Sequence, residues 1–146
     1  MNNLRIVLDA SAFDFLDTPR GEELRALLRR TLDEGGKVCC AAVTLAEVCR
    51  GADRTRRTQA ALARYRGVQH LQVIPTDERL AKQVGFILHQ TGKDSRHISD
   101  AHVVAICALA EVALILTSDP KDIIALATAL PGIRILTRHP ASPLSA

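Results

Sequence analysis

Short apolar runs alternate along this chain with longer stretches of helical periodicity. Arg5-Ile6-Val7-Leu8, Lys37-Val38-Cys39-Cys40-Ala41, Leu71-Gln72-Val73-Ile74, Ala113-Leu114-Ile115-Leu116 and Ile133-Arg134-Ile135-Leu136 are brief and rich in β-branched residues. That favours strands over helices, although Cys39–Ala41 carries the weakest signal. Between them, Glu22–Leu32 places apolar residues at 24, 27, 28 and 32 and is stopped by Gly35-Gly36. Thr76 is placed to cap a helix over 77–91 that ends at Gly92. Ser99 or Asp100 opens a run, Ala101–Ala110, so apolar on every side that it belongs in the interior. Pro120 stands where a further helix begins, and Pro131-Gly132 closes it. Strands separated by helices pair in parallel through right-handed crossovers. The expected fold is therefore α/β, a short parallel sheet of about five strands sandwiched by helices. Residues 1–138 read as one domain. The segment 139–146, His139-Pro140-Ala141-Ser142-Pro143-Leu144-Ser145-Ala146, reads as a tail too proline-rich and polar to join the core.

Composition narrows the class. The chain has 146 residues, 47 % hydrophobic and 24 % charged, enough for one buried core. No apolar run approaches the roughly 20 residues that span a bilayer, and Met1-Asn2-Asn3-Leu4-Arg5 lacks the features of a signal peptide. A cytoplasmic protein with no membrane association is expected. Cys39 and Cys40 are adjacent, Cys49 and Cys107 are isolated, and no C-x-x-C pair occurs. They are expected to be small buried hydrophobes rather than metal or redox ligands.

The formal net charge of +3 is mild, but Arg far outnumbers Lys. Arg50, Arg54, Arg56, Arg57, Arg64 and Arg66 cluster, with only Asp53 opposing them in that span. Arginine grips phosphate with a planar fork of donors, so Arg50, Arg54 and Arg57 are candidate contacts to a phosphate-rich partner. A solvated helix face accounts for the same cluster equally well. Aromatic residues are few, which disfavours binding by a series of base stacks.

The carboxylates carry more. In open α/β sheets, chemistry gathers at the carboxyl ends of the strands. Asp9 follows Leu8 directly, and Asp119 follows soon after Leu116. Glu47 lies among apolar neighbours, and Asp100 begins the most hydrophobic helix. A buried carboxylate is costly unless it is paired, hydrogen-bonded or bound to metal. Each acid has an ordinary explanation. Asp119-Pro120 fits an N-cap followed by proline. Thr44-x-x-Glu47 fits a capping box. Asp9-Ala10-Ser11 fits an Asx turn, and Asp100 would favour a helix dipole. A cap explains one acid at a time, whereas a divalent-ion site explains all four. Mg²⁺ and Mn²⁺ are the natural candidates for oxygen ligands.

Val7-Leu8-Asp9-Ala10-Ser11-Ala12-Phe13, Thr44-Leu45-Ala46-Glu47-Val48-Cys49-Arg50-Gly51, Ser99-Asp100-Ala101-His102-Val103-Val104-Ala105 and Leu116-Thr117-Ser118-Asp119-Pro120, taken in this order, resemble the PIN domain. Within it they most resemble the VapC ribonuclease toxins of toxin–antitoxin pairs. The resemblance covers roughly residues 4 to 137. It implies a Mg²⁺- or Mn²⁺-dependent endoribonuclease acting on RNA, such as tRNA or rRNA, with Asp9, Glu47, Asp100 and Asp119 as the catalytic acids. Asp9, Asp100 and Asp119 would hold the metal, Glu47 would orient or deprotonate the attacking water, and Ser11, Ser118 and Asp122 would support the site. It also implies a homodimer and a small VapB-like antitoxin partner. One departure stands out: many relatives carry a further Asp three residues before the third acid, where this chain has His97. The lost ligand position could pass to Asp122. His97 itself reads as a surface histidine near the site rather than a transition-metal ligand, and His89 and His102 as surface or packing residues.

The rivals fit less well. A phospho-receiver domain would need paired acids after the first strand and a lysine after the last, where Thr137-Arg138 stands. Nucleotide-binding glycine motifs are absent. An aspartyl-phosphatase of the same layout would need an acid at position 11, which is Ser11. A PIN-like scaffold that binds RNA or a partner without cutting is the main alternative.

Overall fold

The computed structural model describes residues 3–65 and 70–141. Its strands are β1 (Leu4–Leu8), β2 (Lys37–Ala41), β3 (Gln72–Ile74), β4 (Val112–Leu116) and β5 (Arg134–Arg138). Its α-helices are α1 (Ala10–Leu16), α2 (Glu22–Asp33), α3 (Ala42–Val48), α4 (Ala52–Ala63), α5 (Glu78–Thr91), α6 (Ile98–Ile106) and α7 (Pro120–Ala127). All five expected strands form, and they pair in parallel in the order β3-β2-β1-β4-β5. From β1 the chain steps outward to β2 and β3, then crosses to β4 and β5 on the other side. Crossovers of one hand that step in opposite directions leave their helices on opposite faces of the sheet.

The two cores show this. Ile6 and Leu8 of β1, Val38 and Cys40 of β2 and Leu116 of β4 face α1 and α2. Val7, Cys39, Ala41, Ala113 and Ile115 face α5, α6 and α7. Strands covered on both faces read as unbroken apolar runs rather than alternating ones, which is why they stood out in the sequence. The adjacent thiols of Cys39 and Cys40 point to opposite cores. All four cysteines are free, and three are buried. Burial pushes the Cys40 and Cys107 thiols up to about 12, so both stay protonated and inert.

Helix ends depart from expectation in instructive ways. Asp77, not Thr76, caps α5, its Oδ1 accepting from the Leu80 N–H at 2.8 Å; a carboxylate is the stronger acceptor at a positive helix terminus. Gly92 closes α5 as expected, in the left-handed conformation at φ 65°. A 3-10 turn, Ser95–His97, leads into α6, which starts at Ile98 and ends at Ile106 before a second 3-10 turn, Cys107–Leu109. Helix α7 stops at Ala127, short of Pro131-Gly132. Helices α1 and α3 have seven residues each, too few to show a clear period. The tail reading also changes at its start, because the His139 ring meets Phe15 edge-on at 5.5 Å and Pro140 is buried. Residues 142–146 and Arg66 lie outside the described residues.

Gly21 marks the tightest backbone approach. A Cβ there would sit 1.7 Å from the Phe15 carbonyl oxygen, and backbone cannot move aside as a side chain can. Gly21→Ala is expected to destabilise the fold by at least about 2 kcal/mol, read as a lower urea midpoint. A variant as stable as the parent would contradict this packing.

Candidate active site

Strand order reverses between β1 and β4, and the two strands leave the sheet side by side. Asp9 is the first residue past β1, and its N–H donates to the Leu116 carbonyl at 3.1 Å, extending the ladder by one rung. It is also the N-cap of α1, so one carboxylate oxygen accepts from the Ala10 N–H at 2.8 Å. The other accepts from the Thr117 hydroxyl at 2.8 Å. Thr117 is buried at the end of β4, and its Oγ1 accepts in turn from the Asp119 N–H at 3.1 Å. The Ser118 N–H donates to Ser11 Oγ at 2.9 Å. Ser11 thus supports the loop through its side chain and Ser118 through its backbone. Thr117, to which no role was given in the sequence reading, is the hydroxyl that fixes Asp9. A lone threonine between an apolar run and an aspartate was the available signal.

Asp119 holds the N-cap position of α7 with Pro120 behind it, but its side chain makes no capping hydrogen bond. Its carboxylate is therefore not spent on the helix. Glu47 sits within α3. The capping-box reading of Thr44 does not hold, because β2 runs straight into a helix starting at Ala42 and Thr44 is already inside it. Thr44 is fully buried and its hydroxyl has no hydrogen-bond partner among the described residues.

Asp100 lies in the first turn of α6 and is half-buried. Burial pushes its carboxyl up to about 6, and the negative charges of Asp9, Glu47 and Asp122 push the same way; His97 pulls it down. These acids, distant in sequence, therefore share one electrostatic environment. Among the described residues none of Asp9, Glu47, Asp100 or Asp119 is ion-paired with Lys or Arg. Donor atoms of His97, Asp100 and Asp122 all lie within 4.8 Å of one another, the one such group of three among the described residues. His97 thus stands in the cluster rather than as a bystander on the surface. Carboxylate oxygens that lack hydrogen-bond donors, with one imidazole among them, suit a divalent cation.

The PIN domain family model matches residues 6–129, a span that holds every acid of the cluster. The chain belongs to the PIN domain family. PIN domains are nucleases that use divalent metals, which agrees with the donor set just described. Over 92 % of the chain and 98 % of theirs, two crystal structures are similar to it. One is VapBC2 from Rickettsia felis bound to a DNA fragment from its promoter, at 14 % identity and a TM-score of 0.62. The other is VapBC-5 of the VapBC toxin–antitoxin family from Mycobacterium tuberculosis, at 19 % identity and a TM-score of 0.52. At these identities the likeness is one of fold. No curated protein matches the chain. No helix among the described residues is long and apolar enough to cross a membrane.

The arginine cluster of this PIN domain is less free than its spacing implied. Arg54 pairs with Asp14 at 3.5 Å and Arg64 with Asp17 at 3.5 Å, both acids coming from the α1 region rather than the span in which only Asp53 was counted. Arg56 pairs with Asp53 at 3.7 Å. Arg57 lines a small groove between α1 and α4 with Phe13, Asp14, Asp17, Arg54 and Thr58, and Arg50 is exposed between α3 and α4. His102 is a packing residue as expected, buried with Nδ1 at 2.7 Å from the Ile98 carbonyl.

Two outcomes follow from this electrostatics. Asp100 binds its proton more tightly folded than unfolded, so its charged form weakens the fold. That penalty is full above about pH 6, shrinks as pH falls through the folded value, and is gone below the ordinary value of 3.8. Asp100→Asn should therefore stabilise the metal-free protein by roughly 1–2 kcal/mol at pH 7.5, allowing for solvent screening of a half-buried group. The gain should fade toward pH 4. Thermal melts of both proteins across this range decide it, and a gain independent of pH would rule out charge repulsion as the cause. Separately, Thr44→Val removes an unpaired buried hydroxyl at nearly constant shape. It should raise stability by about 1 kcal/mol, and a loss of stability would show that the hydroxyl has a partner in solution.

Proposed function

We propose that this PIN domain is a metal-dependent endoribonuclease and the toxin of a toxin–antitoxin pair. The observation that carries the reading is the convergence on Asp100. Its carboxyl is raised to about 6 by burial and by Asp9, Glu47 and Asp122, with no Lys or Arg among the described residues paired to the cluster. Asp9, Asp100 and Asp119 would hold Mg²⁺ or Mn²⁺, with Asp122 beside them. A divalent ion there polarises a scissile phosphate and lowers the pKa of water. Asp9 is pre-positioned for this by the Ala10 N–H and the Thr117 hydroxyl, so its carboxylate is oriented before any ligand arrives. Glu47 would orient the attacking water and accept its proton. Ser11 would hold the loop that carries Asp119.

The similarity to VapBC structures supports assigning an antitoxin partner of the VapB type; a homodimer and a cytoplasmic location belong to the same proposal. The expected partner chemistry is a basic side chain, Arg or Lys, inserted among the acids, since a fixed cation relieves their repulsion and blocks substrate at once. Arg50, Arg54 and Arg57 would contact the RNA backbone, with Arg54 exchanging Asp14 for phosphate.

Asp9→Asn keeps the size of the side chain and can keep a hydrogen bond to Thr117 while removing one negative charge. RNA cleavage should fall at least about 10²-fold. RNA binding should persist or tighten, because phosphate meets less negative charge. Arg54→Ala should weaken binding and lower the salt slope by about one. Cleavage and binding measured on the same variants, with EDTA as control, test the reading. Cleavage untouched by EDTA or by Asp9→Asn would overturn it, and binding without any cleavage would favour a scaffold.

A further inference from the structure

We infer that His97, Asp100 and Asp122 form a mixed nitrogen–oxygen position that selects first-row transition ions over Mg²⁺. This rests on the metal-nuclease reading above and specifies which ion the site prefers. Three elements deliver the donors: the 3-10 turn Ser95–His97, the first turn of α6 and the first turn of α7. Their ligand atoms lie within 4.8 Å of one another. Two donors bound to one ion at about 2.1 Å each can stand no more than about 4.2 Å apart. His97 Nδ1 and Asp122 Oδ2 are 4.0 Å apart, inside that limit, and the largest separation the three donors can have, 4.8 Å, exceeds it by no more than a small side-chain rotation closes. The imidazole is not spent on the helix: His97 occupies the N-cap of α6 without a side-chain capping hydrogen bond, and its Nδ1 faces the Asp122 carboxylate. With its side chain 21 % exposed, it is reachable by an ion yet largely enclosed.

Donor chemistry sets the preference. Mg²⁺ is a hard ion that favours oxygen, demands near-ideal octahedral geometry and retains its waters. Imidazole suits later first-row ions, and affinity for such a site climbs from Mn²⁺ through Co²⁺ to Ni²⁺. An aspartate at position 97 would make the position all-oxygen and remove the discrimination. Asp100 is the shared element, coupled to Asp9 and Glu47 as well as to Asp122. The nitrogen-bearing position is therefore contiguous with the oxygen-bearing one rather than separate from it.

The test is calorimetric titration of the full chain with Mg²⁺, Mn²⁺ and Co²⁺, for the parent, His97→Asp and His97→Gln, joined to pulsed electron paramagnetic resonance of the Mn²⁺-loaded parent. The parent should bind Mn²⁺ at least about tenfold more tightly than Mg²⁺ and Co²⁺ more tightly still. Its Mn²⁺ spectrum should show coupling to a ¹⁴N nucleus. His97→Asp should lose that coupling and close most of the gap to Mg²⁺. His97→Gln, a neutral control, should lose the coupling as well. Ions that bind without nitrogen coupling, or a preference unchanged in His97→Asp, would overturn this inference and leave the nuclease reading standing. Failure of every divalent ion to bind the parent would overturn both.

Discussion

Carboxylates brought together without a cation repel one another, and at the carboxyl edge of this sheet the scaffold has to bear that repulsion. Folded domains retain only about 5–15 kcal/mol of stability, so a single half-buried acid raised to about 6 is a sizeable claim on it. The molecule meets that claim unevenly. Asp9 is held by two hydrogen bonds at 2.8 Å, one from backbone and one from Thr117, which fix where its oxygens point. Asp100 has no comparable donor among the described residues, and takes the burden as a raised affinity for protons. An acid kept partly protonated without a cation is one that a cation can readily discharge.

Topology explains why the pressure falls there. The reversal of strand order between β1 and β4 opens a crevice that neither set of crossovers covers. Everything that must be accurate is attached to those two central strands. Asp9 continues the β1–β4 ladder, Thr117 ends β4, and the loop beyond it is pinned by Ser11. Both strands are buried on both faces among residues such as Ile6, Val7, Leu8, Ile115 and Leu116, each at or near zero exposure. Close packing of that kind makes small displacements costly. The acids contributed by α6 and α7 ride on the second core, through neighbours such as Ala101, Val103 and Ile123. The site therefore spans the seam between two packed layers and inherits its rigidity from both.

The same physics governed what the sequence revealed. The central strands β1, β2 and β4 are largely buried on both faces and leave unbroken apolar runs, Cys39–Ala41 included. The partly exposed edge strands β3 and β5 were legible from their brevity and β-branched residues. Helices α2 and α5 declared themselves by period and by their closing glycines. Helices α1 and α3 did not, since seven residues make two turns and local capping motifs then mislead. Thr44 and Glu47 matched a capping box by spacing alone, and only the direct passage of β2 into α3 shows that the helix began earlier. Among the candidate site residues, strand-end position pointed to Asp9 and Asp119, and an acid among apolar neighbours pointed to Glu47 and Asp100. Neither signal could reach Thr117, whose role depends on a hydrogen bond to a residue on another strand. His97 was visible only as a departure from a family pattern. Its grouping with Asp122 required the packing of α6 against α7, which no local spacing encodes.

An acidic crevice and a phosphate-rich partner repel each other, so a nuclease of this design needs positive charge beside the site as well as within it. The fold supplies it on one side. Helix α4, which carries Arg54, Arg56 and Arg57, packs against α1, and Asp9 is the N-cap of α1. The Arg54–Asp14 pair is solvent-exposed at both ends, the class of ion pair worth at most about 1 kcal/mol. Such a pair holds the guanidinium beside α1 yet yields it to a stronger acceptor, as phosphate is. If the α4 arginines meet the polyanion that the acids would cut, as proposed, α1 is the element that fixes the separation of the two groups of charge. Moving charge between them, rather than adding more of it, is what would change the balance between holding a polyanion and cutting it.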